Sequence, residues 1–64
     1  MELSEKLKKI RKEKKITQAE LARKSGLSKT YISLIERGNQ GVRVDTLNKI
    51  ATALEVPFEE LYQA

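Results

Sequence analysis

Sixty-four residues with thirteen Lys and Arg, nine Asp and Glu, and neither Cys nor His describe one small basic domain. A chain of this length buries only about 60% of the surface its unfolded form exposes, so its core is thin, and without Cys or His it lacks disulfides, thiolate sites, the commonest metal ligand and the commonest general base. No apolar run approaches the roughly 18 residues of a membrane span and no apolar signal segment opens the chain, so the expected location is the cytoplasm.

Charge is unevenly shared. Residues 1–43 carry twelve of the thirteen Lys and Arg against five acids, whereas residues 44–64 carry Lys49 against Asp45, Glu55, Glu59 and Glu60. A basic two-thirds joined to an acidic tail suits a surface that faces a polyanion, and equally suits a Lys-rich helix face in water. Charge alone does not separate the two.

Apolar positions recur with a helical period almost throughout and nowhere alternate as in a strand. Leu3, Leu7 and Ile10 give a first helix with Lys6, Lys8, Lys9 and Lys12 on its wet side. Ile16-Thr17-Gln18-Ala19-Glu20-Leu21 is a helix start: Thr17 caps the Glu20 amide, Glu20 reaches back to the Thr17 amide, and Ile16 staples onto Leu21. Gly26 stops this second helix two turns later. Leu27 can staple onto Ile32, and Ser28 caps a third helix that runs to Arg37, with Gly38 as a left-handed terminator. Asn39-Gln40-Gly41 reads as a loop. Val44, Leu47, Ala51 and Leu54, broadened by Ile50, mark a fourth amphipathic helix. Pro57 opens a short fifth helix that carries Phe58, Leu61 and Tyr62. These elements predict a single all-α domain over residues 1–64, compact and five-helical.

Two short helices joined by a Gly-containing turn of about three or four residues form a helix-turn-helix, and residues 17–37 satisfy that pattern. Ala22 is small where the two helices approach most closely, and Gly26 can take the positive φ that the turn requires. Leu21, Leu27, Ile32 and Ile35 recur at the spacings that bury one face of each helix, which leaves Lys29, Thr30, Ser33 and Arg37 facing outward.

The chain here resembles the Cro and lambda-repressor-like (XRE-type) regulators. The resemblance runs from Leu7 to Leu61 and rests on Leu7-x-x-Ile10-Arg11, Thr17-Gln18-x-Glu20-Leu21-Ala22, Gly26-x-Ser28, Tyr31-Ile32-Ser33-x-Ile35-Glu36-Arg37-Gly38, Thr46-Leu47-x-x-Ile50-Ala51-x-Ala53-Leu54 and Glu60-Leu61. Two places depart from the family's pattern. Ser25 stands where an apolar residue is usual, and Val42-Arg43 replaces the usual Pro-Ser before the fourth helix.

The resemblance implies a third helix lying in the major groove of double-stranded DNA. It implies base readout by Lys29, Thr30 and Ser33, a Lys donating to guanine and the hydroxyls pairing with several bases. It also implies backbone contacts from Gln18, Ser28, Arg37, Asn39 and Arg43, with Gln18 meeting phosphate at a helix N-terminus. The plainer alternatives are a phosphate contact for Lys29, an ordinary helical Gln at Gln18 and solvated loop residues at Arg37, Asn39 and Arg43. Leu34 touches a thymine methyl or packs against the loop before the fourth helix. Arg11 and Glu36 match a pair that, in the family, locks the third helix to the first.

Other classes fit less well. An enzyme would need a nucleophile–base pair, a metal-ligand cluster or a Gly-rich phosphate loop, none of which the sequence offers, so no metal, cofactor or small-molecule ligand is expected. A protein-interaction module would expose large apolar residues where Lys29, Thr30 and Ser33 stand. A membrane-surface role fails because Leu3, Leu7 and Ile10 are needed for the core, and the narrow A-form major groove disfavours RNA. The expected function is sequence-specific DNA binding by a transcriptional regulator, a repressor acting as a homodimer on a palindromic operator and pairing in some cases only on DNA. An antitoxin or a restriction-modification controller that autoregulates its operon is the alternative. The expected dimer surface is Tyr62 with Val56 or Leu54, while Phe58 and Leu61 cap the core.

Overall fold

The computed structural model describes residues 3–38 and 41–62. In chain order these form α1 (Leu3–Glu13), α2 (Gln18–Ser25), α3 (Lys29–Glu36) and α4 (Val44–Leu54), followed by a 3-10 turn at Phe58–Glu60. The all-α expectation holds, but the fifth helix is only this turn. Pro57 offers no amide, and the amides of Glu60 and Leu61 bond three residues back, to Pro57 and Phe58, which tightens the backbone and draws Leu61 into the core. α2 packs on α3 and α4, α1 packs on α3, and the 3-10 turn packs on α4. Leu7, Leu21, Ala22, Ile32, Ile35, Leu47, Ile50, Ala51, Leu54 and Leu61 form one buried cluster to which all four α-helices and the residue after the 3-10 turn contribute.

The connections are built by a repeated device. α1, α2 and α4 each end on a residue in the left-handed conformation: Lys15 (φ 58), Gly26 (φ 76) and Glu55 (φ 60). The next residue is apolar each time, and its amide reaches back into the helix just ended: Ile16 to the Arg11 carbonyl, Leu27 to Ala22 and Val56 to Ala51, all at 3.0 Å. That is the six-to-one bond of a Schellman terminus. The same apolar residue then precedes the cap of the following element and lies five positions before a core residue, giving the pairs Ile16 with Leu21, Leu27 with Ile32 and Val56 with Leu61. Ile16, Leu27 and Val56 all pack against the core cluster to which those partners belong, the arrangement of a hydrophobic staple. One side chain thus closes one helix and opens the next.

Caps complete the starts. Thr17 Oγ1 accepts from the Glu20 amide and Ser28 Oγ from the Tyr31 amide, both at 3.0 Å. The reciprocal half of the first capping box is not made, because the Glu20 carboxylate lies 3.9 Å from Lys24 Nζ, one turn along the helix. α4 begins at Arg43 with no side-chain cap, and Asp45 Oδ1 instead accepts from the Thr46 amide in its first turn. Val44, expected in the apolar stripe of α4, is 54% exposed. It is the first helical residue, beyond the end of the stripe, and Val42 packs against the core in its place. Ser25 is buried and its hydroxyl donates to the Ala22 carbonyl at 3.3 Å, so a polar residue sits in an apolar corner without an unpaired group.

A β-carbon added at Gly26 would meet nothing within 4 Å. Gly26→Ala is therefore expected to lose about 1 kcal/mol through backbone strain alone, and Glu55→Gly to gain up to about the same by relieving it. Urea denaturation midpoints of the two variants would show these opposite shifts.

Candidate nucleic-acid interface

Burial of Ile32 and Ile35 fixes the rotation of α3, and what remains outside is a polar face. Lys29, Thr30 and Arg37 are exposed and Ser33 is half-buried. Together with Gln18 from the first turn of α2 and the half-buried Leu34, they line a single groove. Leu34, left open between two roles by the sequence, is part of this wall. Ser28 immediately precedes the groove residues, with its oxygen engaged as the cap of α3 and its proton free to donate.

Arg43 stands apart from this groove, its side chain highly exposed, with Nε 3.6 Å from Asp45 Oδ1. Asn39 lies outside the described residues. A second cleft adjoins the groove and shares Gln18, Ser33 and Arg37 with it; its remaining walls are Ser4, Glu5 and Lys8 of α1 with Glu36 and Gly38. Along the chain Lys8 is one more lysine on the wet side of α1. The available signal was its position three residues before Arg11, hence on the same side of α1 as the residue expected to meet Glu36.

Glu36, in the wall of the second cleft, belongs to a polar cluster that ties three helices together. Glu36 is 5% exposed. Arg11 Nε donates to its Oε2 at 2.7 Å and Arg11 Nη2 to its Oε1 at 3.0 Å, a bidentate pair joining α1 to α3. The remaining Arg11 nitrogen, Nη1, donates to the Ile16 carbonyl at 2.8 Å, between α1 and α2. Gln18 Nε2 donates to Glu36 Oε1 at 2.9 Å. The residue expected to meet phosphate is therefore already held by one of its two amide protons, and the other proton is free to donate. Burial alone pushes the Glu36 carboxyl up, but the hydrogen bonds from Arg11 and Gln18 and the charges of Arg11 and Lys8 outweigh it and hold it below the ordinary value.

The expected dimer residues divide. Tyr62 is 42% exposed and stacks on Phe58, with ring centroids 5.1 Å apart and planes inclined by 24°. Val56 is half-buried because it also serves as the joint after α4. Leu54 is 1% exposed, so its side chain faces the core and is not available to a partner. α4 packs against α2 and the 3-10 turn, and Leu54 lies on the side of the helix that this packing covers.

The helix-turn-helix family profile matches residues 7–61, nearly the whole chain and the same stretch that carries the motifs above. The chain belongs to the helix-turn-helix family. Among its helix-turn-helix relatives, the transcriptional repressor RghR of Bacillus subtilis is 45% identical over 58 residues, covering 89% of this chain and 43% of RghR. The chain spans about two-fifths of the length of such curated regulators. The restriction-modification controller protein C.AhdI from Aeromonas hydrophila superposes with a TM-score of 0.91 at 35% identity, covering 94% of this chain and 91% of the controller. A second controller, C.Esp1396I, has been solved bound to a 25 base pair operator site; it superposes with a TM-score of 0.84 at 46% identity over 91% of this chain and 80% of its own.

Glu36→Ala is expected to cost about 3–5 kcal/mol, because it strands the Arg11 guanidinium between two helices; urea unfolding would measure it. A carboxyl whose folded value lies below its unfolded one stabilises the fold above the unfolded range, and this stabilisation is lost as pH falls through that range toward the folded value. In acid titration followed by circular dichroism, the parent is expected to lose stability below about pH 4.3, the ordinary Glu value. Glu36→Gln is expected to lose less over the same interval.

Proposed function

We propose that this chain is the DNA-binding domain of a transcriptional repressor, acting in the cytoplasm, that lays α3 in the major groove of a specific operator. The observation that carries the proposal is the single groove where Gln18, Lys29, Thr30, Ser33, Leu34 and Arg37 converge on a helix-turn-helix frame. Hydrogen-bonding side chains with one apolar residue among them are what base edges require. In this arrangement Lys29 donates to guanine O6 and N7, Thr30 and Ser33 pair with neighbouring edges, and Leu34 lies against a thymine methyl. Gln18 offers its free amide proton to a phosphate at the positive end of α2, assisted by the Ser28 hydroxyl and the Arg37 guanidinium. Arg43, together with Asn39 four residues earlier in the sequence, adds further backbone contacts.

One recognition helix reads only a few base pairs, too few to mark a unique site in a genome, and paired copies on half-sites ~34 Å apart meet that need. One copy therefore reads one half-site, and a palindromic operator takes a homodimer. Tyr62 and the exposed part of Val56 form the contact between copies, in the acidic segment remote from the polyanion. Restriction-modification controllers match this chain along most of their own length, which favours a controller regulating its own operon over an antitoxin as the more specific role.

Selection of bound sequences from a random duplex pool is expected to return a two-fold symmetric site. On that site Lys29→Ala is expected to lose about 1–3 kcal/mol and relax preference at one base position per half-site; an equal proportional loss on scrambled DNA would make Lys29 a phosphate contact. Tyr62→Asp is expected to leave half-site affinity unchanged while abolishing the preference for the full palindrome. Titrations of both duplexes, followed by fluorescence anisotropy, distinguish these outcomes.

A further inference from the structure

α1 stands outside the helix-turn-helix, yet its first two turns form the far wall of a cleft whose near wall is the DNA-facing surface. Ser4, Glu5 and Lys8 lie across from Gln18, Ser33 and Arg37, with Glu36 and Gly38 between. The cleft is continuous with the recognition groove through the three shared residues. A duplex seated with α3 in its major groove must carry one of its two strands past this edge, because the groove is bounded by phosphates on both sides.

The charges suit such a strand. Glu36 is already compensated by the bidentate Arg11 pair, so the cleft's accessible ionic groups are Lys8, Arg37 and a single opposing carboxylate, Glu5. Lys8 takes part in none of the ion pairs formed among the described residues, and it is close enough for its charge to act on Glu36. Ser4 and Ser33 add hydroxyl donors and Gln18 an amide. Lys6, Lys9 and Lys12, the other lysines of α1, do not line this cleft; Lys6 and Lys9 border a separate depression beside Ile10, Glu13 and Glu60, on the acidic flank.

We propose that the cleft between α1 and the end of α3 is a second backbone-phosphate seat, in which Lys8 is the cation that meets the phosphodiester. The proposal rests on the DNA-binding reading above and extends the contact surface to a helix outside the motif. Glu5, three residues earlier on the same wall, opposes the phosphate and weakens the seat.

The test needs no knowledge of the operator. Lys8→Gln, Lys9→Gln and Glu5→Gln are compared with the parent for binding to a mixed-sequence duplex over a series of salt concentrations, with thermal melting of each variant as a check on folding. A lysine that neutralises a phosphate contributes about 0.9 to the slope of log affinity against log salt. Lys8→Gln is expected to lose about that amount, with the same several-fold loss on every sequence. Lys9→Gln removes the same charge from the same helix and is expected to leave the slope nearly unchanged. Glu5→Gln is expected to bind several-fold more tightly at low salt. Equal slopes for Lys8→Gln and Lys9→Gln, or no gain from Glu5→Gln, would overturn the seat while leaving the major-groove reading intact. A parent chain that binds no duplex would overturn both.

Discussion

Glu36 is a carboxylate held almost out of water at the meeting point of three helices, and the placement of the groove-lining side chains of α3 and of Gln18 follows from how it is satisfied. Its two oxygens take two bonds from Arg11 of α1 and one from Gln18 of α2, and Arg11 spends its third nitrogen on the carbonyl of Ile16. A buried pair of this kind contributes little net stability against a well-packed apolar alternative, since desolvation consumes most of the attraction. Its effect is directional. A bidentate guanidinium accepts only a narrow range of positions, so α3 is held in one rotation and one axial register relative to α1. That rotation decides which side chains of α3 reach the groove. Gln18, bonded to the same carboxylate, is set with its remaining amide proton available beside those side chains. Framework and recognition surface therefore share one group.

A thin core raises the second constraint. Among the described residues ten apolar side chains are buried, and connections of the usual polar kind would add nothing to them. Using Ile16, Leu27 and Val56 both to close one helix and to open the next brings the connections into the apolar cluster and satisfies backbone groups at each junction. The device needs a left-handed residue just before each joint. A glycine fills that place only at Gly26; Lys15 and Glu55 occupy it at some cost in backbone strain.

The acidic tail shows how burial partitions a segment of uniform appearance. Phe58, Leu61 and Tyr62 are spaced so that one helical turn presents all three, yet Leu61 is 3% exposed and Tyr62 is 42% exposed. Phe58 bridges them, packed on the core on one side and stacked against Tyr62 on the other. The apolar surface left exposed in this segment is small and centres on the Tyr62 ring.

Local patterns already determined much of this protein. Caps at Thr17 and Ser28, the turn at Gly26 and the helical period of the apolar residues all depend on interactions within about five residues, and the amino-acid order specifies them directly. The pairing of Arg11 with Glu36 was legible only through resemblance, since nothing local connects residues 25 positions apart. Other features were settled by packing between elements. Leu54 and Val44 carry the same helical signal, but α2 and the terminal turn cover the first and not the second. The left-handed Lys15 and Glu55 have no glycine to announce them, because tertiary contacts of the joints override the local preference. The convergence of α1 with the recognition surface, which sets Lys8 apart from Lys9, is also invisible along the chain: adjacent lysines acquire different surroundings only when a second helix is laid against one side of the first.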